Sequence, residues 1–221
     1  MKVDVFLKDI AVWAPGLEDD EEALKKWTDG EIEILREKVS PKLEYTDPLF
    51  RRRLSQISKM TVHVVHKLLE KTDFNRETKI VFVSLRGEIE REFTINQGLI
   101  EDNDILPAGF SLSVFNTPVA LATLAFKLQG GYSVIYPSKN DFMQGLKTAV
   151  APLLAGTEEQ IVLVYADELV PEVYGDKIPS DNTPLAFAAL LSSKDGKSLA
   201  GKLELDFGAC TPSEFLKSLL Q

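Results

Sequence analysis

The chain has 221 residues, 44% hydrophobic and 27% charged, the balance of a folded globular protein rather than a disordered one. Lys and Arg number 25 against 34 Asp and Glu, and the net charge of −9 argues against general binding to a phosphate backbone. The single cysteine, Cys210, excludes a disulfide framework or a cysteine-built metal cluster within one chain, and no apolar run approaches the ~18 residues of a membrane span.

Val3, Val5 and Leu7 alternate with Lys2, Asp4 and Lys8, the period of a half-buried strand, and Trp13-Ala14-Pro15-Gly16 turns the chain. The same stretch lacks a signal-peptide core, so a cytoplasmic place is expected. Residues 18–27 predict a short acidic helix and 29–46 a loop. From Asp47 to Lys71 the pattern predicts one long helix. Asp47 caps it, Pro48 suits its first turn, and Leu54, Ile57, Thr61, Val64, Val65 and Leu68 share one face. Lys79–Leu85 reads as a buried strand, broken by Gly87, and residues 88–100 as a helix. An irregular stretch at 111–114 precedes a small apolar helix, Thr117–Leu128, which Gly130-Gly131 stops. Strand 132–136, helix 140–155 and strand 160–166 follow, then an exposed loop at 171–183. Strands 185–192 and 201–207 flank the turn at 193–197 at hairpin spacing, and Pro212–Leu220 is a last helix. Six strands in the order βαβαβαβαββ predict one α/β domain over 1–221, its sheet mostly parallel with an antiparallel terminal hairpin.

Candidate chemistry is sparse. His63 and His66 are the only histidines, three apart on the long helix. Both point away from its core face, and no acid joins them at His-Glu-x-x-His spacing, so they read as a solvated face rather than a metal pair. Arg51, Arg52 and Arg53 form the one basic cluster. It is either surface charge or a patch for an acidic partner or a phosphate, because cations are unfavourable at the start of a helix. Ser138 stands between a strand and a helix, where nucleophile elbows occur, but Tyr136-Pro-Ser-Lys-Asn140 lacks the small flanking residues of that turn. With Asp141 it fits a capping box instead. Cys210 has no histidine nearby in sequence, no glycine-rich phosphate loop follows a strand, and neither a metal nor a cofactor is implied.

Phe110-Ser-Leu-Ser-Val-Phe-Asn116, the small-residue helix after it and Gly130 resemble the ketoacyl synthase family, with Gly131 where that family carries proline. Counting forward from Asn116 and back from Gly156 by the family spacing lands on Lys139 at the position of the nucleophilic cysteine. A closer resemblance is to a short subgroup of chain-length-factor-like proteins associated with aryl polyene biosynthesis. It rests on Trp13–Gly16, Arg51–Ser55, Phe110–Asn116 (with Phe115 where histidine is usual), Asp141–Leu146 and Val162–Pro171.

The resemblance implies a thiolase-like half, matching the first half of a ketosynthase. That half would bring the cysteine, here replaced by Lys139, and the two catalytic histidines belong to the other half. It implies no independent condensation, and dimerisation through the strand Tyr132–Tyr136. The implied partner is a full-length ketosynthase, whose acyl tunnel this chain would shape in polyketide or fatty-acid-like synthesis. Phe93, Leu112 and Phe115 are its candidate tunnel stops, beside Asn116, Tyr132 and Tyr136, although plain core packing accounts for each singly. Acyl carrier protein, acidic like this chain, would dock mainly on the ketosynthase, with Arg51–Arg53 assisting. Two other readings stay open: an acyl-binding hydrolase or acyltransferase using Ser138, and a homodimeric scaffold.

Overall fold

The computed structural model of the chain describes residues 2–72, 74–102, 107–138, 141–196, 199–204, 208 and 210–220. Its strands are β1 (Lys2–Trp13), β2 (Lys79–Val83), β3 (Tyr132–Ile135), β4 (Gln160–Asp167), β5 (Leu185–Ser192) and β6 (Ala200–Glu204). Its helices are α1 (Glu21–Thr28), α2 (Pro48–Arg51), α3 (Gln56–Thr72), α4 (Ile89–Glu101), α5 (Pro107–Phe110), α6 (Thr117–Phe126), α7 (Met143–Leu154) and α8 (Pro212–Leu220). The expected loop at 171–183 contains a short 3₁₀ helix, Glu172–Lys177.

One sheet holds the described strands in the order β3-β2-β4-β5-β1-β6. β3, β2 and β4 pair in parallel, whereas β5 is antiparallel to both β4 and β1, and β6 to β1. β1 to β4 therefore point one way and β5 and β6 the other, as the α/β expectation requires. The terminal hairpin is a correction. β5 and β6 do not pair, because β1 lies between them and uses the inner edge of each. The spacing at 193–197 signals a hairpin, but β1, far off in sequence, occupies the gap.

Period-two alternation builds two cores on opposite faces of the sheet. Val81, Val83, Ile161, Leu163, Leu185 and Phe187 face α7 and α8. Their neighbours Ile80, Phe82, Val162, Val164, Ala186 and Ala188 face α3 and α6. β1 changes sides partway. Val5 and Leu7 belong to the first core, a register shift follows between Leu7 and Asp9, and then Ala11 and Trp13 belong to the second. The chain leaves β2 for β3 through α4–α6 and returns past β2 to β4 through α7. That reversal makes the carboxyl ends of β2 and β4 a switch point, where open α/β sheets carry their clefts.

The predicted long helix is two. Asp47 caps α2, its side chain accepting from the N–H groups of Leu49 and Phe50. The chain then breaks at Arg52–Ser55, because α3 has caps of its own. Ser55 Oγ accepts from Ser58 N (3.2 Å), and Glu168 Oε2 accepts from Ile57 N (3.1 Å). Arg51 thus lies in the last turn of a helix, where a cation is favourable.

Candidate functional site

The described site has three parts: the open edge of β3, the loop at the carboxyl ends of β2 and β4, and a cavity under α4.

β3 pairs with β2 on one side only. Gly131 and Ile135 give their carbonyls to Ile80 N and Ser84 N. By strand alternation the N–H and C=O groups of Tyr132 and Val134 point to the free side. Around this edge the structure gathers four of the residues singled out by resemblance. Asn116 Nδ2 donates to Tyr132 Oη (3.0 Å), and the Phe115 and Tyr136 rings lie 5.0 Å apart. Tyr136 is 63% exposed, and Phe110, Val114 and Leu124 add exposed apolar surface nearby in the chain. The other two lie apart. Phe93 packs edge-on against Tyr174 of the 3₁₀ helix, and Leu112 lines a groove with Arg52, Arg53, Leu121 and Leu124.

Buried carboxylates hold the loop that follows β2. Asp167, at the end of β4, accepts from Ser84 Oγ (2.6 Å), Tyr165 Oη (2.7 Å) and the backbone N–H groups of Leu85 and Arg86. Burial pushes its pKa above the ordinary carboxylate value against the pull of Arg86. Ser84 Oγ in turn accepts from Gly87 N (2.8 Å). Gly87 sits at φ 62°, and a Cβ there would press 2.9 Å from the Phe115 ring. The turn therefore needs glycine both for its backbone and for the aromatic beside it.

Glu88 is fully buried. It accepts from Ser55 Oγ (2.8 Å) and Ser58 Oγ (2.5 Å) with Oε1, and from Arg91 Nε (3.0 Å) with Oε2. Glu168 accepts from Ile57 N and Glu90 N, so it caps α3 and begins α4 at once. Burial first, then the negative charge of Glu88, push its carboxyl up to about 8.

That shift has a consequence for stability. The folded chain holds the Glu168 proton more tightly than the unfolded chain does. The advantage is fully present below the unfolded value of 4.5 and is lost as pH rises to about 8. Glu168→Gln should remove this part of the pH slope. Urea unfolding of both chains across that range should show the wild type losing a few kcal/mol relative to the variant, and parallel curves would refute the assignment.

Beside these carboxyls lies a cavity of about 730 Å³ lined by Ser55, Arg91, Ile95, Gly98, Gly109 and Glu168, among others. None of the cavity-lining residues of α4 came from periodicity or spacing. Glu168 was visible only as part of the Val162–Pro171 resemblance.

The remaining candidates fall elsewhere. Ser138 is exposed, and its hydrogen bonds run to Gln144, whose Nε2 donates to its Oγ (2.9 Å). The capping box is a second correction: Asp141 accepts from Met143 N, and the Ser138 side chain faces Gln144 instead. Lys139 lies outside the described residues. Cys210 is half-buried, its Sγ 3.0 Å from Met143 Sδ.

His63 and His66 are a third correction, for neither is a solvated face. His63 is buried, with Nε2 2.8 Å from Asp19 Oδ1 and Nδ1 3.4 Å from Tyr45 Oη. His66 stacks flat on Tyr45 at 3.6 Å, and burial lowers its pKa below the ordinary imidazole value. The irregular 29–46 segment folds over this side of α3, which helix periodicity alone cannot reveal. α3 and α7 pack on opposite faces of the sheet, so the histidines and Ser138 are separated by it. Among the described residues no three His, Cys, Asp or Glu side chains gather as for a metal ion, and no helix is long and apolar enough to cross a membrane.

Residues 25–214 match the family described as beta-ketoacyl synthase, N-terminal domain. No curated protein matches the chain. Among solved structures it is similar to a chain of a ketosynthase in complex with its chain length factor from Xenorhabdus doucetiae. That match is 28% identical with a TM-score of 0.75, over 88% of this chain and 81% of that one. The ishigamide ketosynthase/chain length factor matches at 11% identity and a TM-score of 0.66, over 85% of this chain and 62% of that chain. A beta-ketoacyl synthase from Burkholderia phymatum matches at 15% and 0.60, over 87% and 59%. The last two support the thiolase-like fold alone, and the chain spans about three fifths of their length.

Proposed function

The chain belongs to the beta-ketoacyl synthase N-terminal domain family, and from that premise we propose that it is a chain-length-factor-like partner of a full-length ketosynthase. The carrying observation is the open β3 edge, framed by Phe115, Asn116, Tyr132 and Tyr136. An unpaired strand with an apolar surround is a template for pairing with another chain. The similarity to a ketosynthase–chain length factor complex, in a matched chain of comparable length, supports the kind of partner. In this reading residues 1–221 act as one thiolase-like unit in the cytoplasm, in polyketide or fatty-acid-like synthesis of the aryl polyene type. The cavity under α4 receives the growing acyl chain, with Phe93, Leu112 and Phe115 as candidate stops.

The chain would add shape rather than a nucleophile. Lys139 stands where the family carries cysteine, and a lysine cannot hold an acyl thioester. A Ser138 hydrolase would need a base, and the hydrogen-bonding partner of Ser138 is an amide. Co-expression with a full-length ketosynthase should yield a heterodimer by native mass. The isolated chain should not condense malonyl and acyl carriers. Condensation by the isolated chain would overturn the proposal, and a homodimer that ignores the ketosynthase would favour a scaffold.

A further inference from the structure

Two cavities meet at Arg91. One is the cavity under α4. The other, of about 830 Å³, is the groove that Leu112 lines with Leu49, Leu54, Leu121 and Leu124. Arg91 and Gly109 line both, so this pair stands between them. The Arg91 guanidinium is held from two sides. Nε donates to Glu88 Oε2 (3.0 Å), and Nη2 donates to the carbonyl of Arg53 (2.9 Å). Glu88 is itself fully buried and fixed by Ser55 and Ser58, so the arginine has a rigid footing. Gly109 adds no bulk. A Cβ there would meet nothing nearer than Ile95, at 3.9 Å. The side chain that separates the two cavities is therefore that of Arg91.

We propose that Arg91 is a specificity-determining residue for chain length. It ends the cavity under α4, and the leucine-lined groove behind it is reserve volume that a smaller residue at 91 recruits. The inference rests on the reading of that cavity as the acyl receptacle and adds which residue closes it. An apolar chain gains affinity for each methylene it buries, but it cannot push past Arg91 cheaply. Displacing the guanidinium would strip a buried carboxylate of its counter-charge, which costs more than a few methylenes return. The ion pair also cancels the charge of the barrier, so a neutral chain can lie against it. Leu112 falls on the groove side, where it acts only on a chain that has passed Arg91.

The test uses the full chain and saturated fatty acids of 8 to 16 carbons, each below its micelle concentration. Calorimetric titration gives affinity against length. Amide shifts at Gly98 report the cavity under α4, and those at Leu121 and Leu124 report the groove. In the wild type, affinity should rise about fourfold per methylene and then level off, with Leu121 and Leu124 silent at every length. Arg91→Ala should move the plateau out by two methylenes or more, so that the longest acid binds about sixteenfold more tightly, and shifts should appear at Leu121 and Leu124. Adding Gly109→Leu should restore the wild-type plateau. Should Arg91→Ala unfold for want of a partner to Glu88, Glu88→Gln in the same chain removes the stranded charge. A folded Arg91→Ala variant with an unmoved plateau overturns the inference and leaves the acyl cavity in place. A wild type whose affinity climbs through every length, or whose long probes shift Leu121 and Leu124, overturns it equally and needs no variant. Silence at Gly98 with every probe overturns the acyl reading and the inference with it.

Discussion

Replacing Asp167 with alanine should cost the fold about 4 kcal/mol in urea unfolding. The carboxylate collects Ser84 Oγ, Tyr165 Oη and two backbone N–H groups in a fully buried place, and alanine leaves three of these donors unpaired and Arg86 N with only a long 3.4 Å contact to Ser84 Oγ. Asparagine should cost roughly half as much, because its oxygen can serve Ser84 and the loop while Tyr165 Oη accepts from its amide. The loop also abuts the proposed partner face, since Ser84 Oγ holds Gly87 N and Gly87 abuts Phe115. Asp167→Asn should therefore weaken ketosynthase binding even where the chain stays folded. An alanine variant within about 1 kcal/mol of wild type would show that water or a rearranged loop satisfies these donors.

Val134→Pro should abolish association with the ketosynthase, weakening it by about a hundredfold or more, while leaving the chain folded. The prediction turns on direction. The carbonyls of Gly131 and Ile135 serve β2, so the Val134 N–H points outward by alternation. Proline there breaks no hydrogen bond to β2, but it removes an edge donor and sets a ring where a partner strand would lie. Far-ultraviolet circular dichroism and the thermal midpoint check the fold, and co-purification or analytical ultracentrifugation checks association. A folded variant that binds the ketosynthase as tightly as wild type would move the interface away from β3.

The strands were legible in the sequence because burial on both faces demands unbroken apolar runs, as in Ile161–Tyr165 and Leu185–Leu191. Strand pairing was less legible. Nothing local in residues 185–204 reveals that β1 intervenes. The split of the long helix had a local sign in the Ser55-x-x-Ser58 spacing, but Leu54, Ile57, Thr61 and Leu68 keep helical phase across the break and hide it. His63 and His66 were misplaced because a helix wheel sees only the helix, whereas Asp19 and Tyr45 reach them from chain that folds back over α3. At the site, Phe115, Asn116, Tyr132 and Tyr136 came from the family resemblance, and periodicity would have left them as ordinary core or surface. Glu88 and Glu168 were hidden for a physical reason. An acid in sequence is surface by default, and only the helix N–H groups and hydroxyls brought by folding make its burial tolerable.

β1 precedes every other described strand in the chain, yet its neighbours in the sheet are β5 and β6, the last two of them. While the ribosome is still making residues 14–184, those twelve residues have no strand to join. The centre of the sheet therefore closes late, across a loop of nearly the whole chain, and folding should be slow for a protein of this size. The nascent chain spends that interval with both edges of β1 unpaired, and a chaperone that shields β1 would raise yield more than one acting on the finished protein.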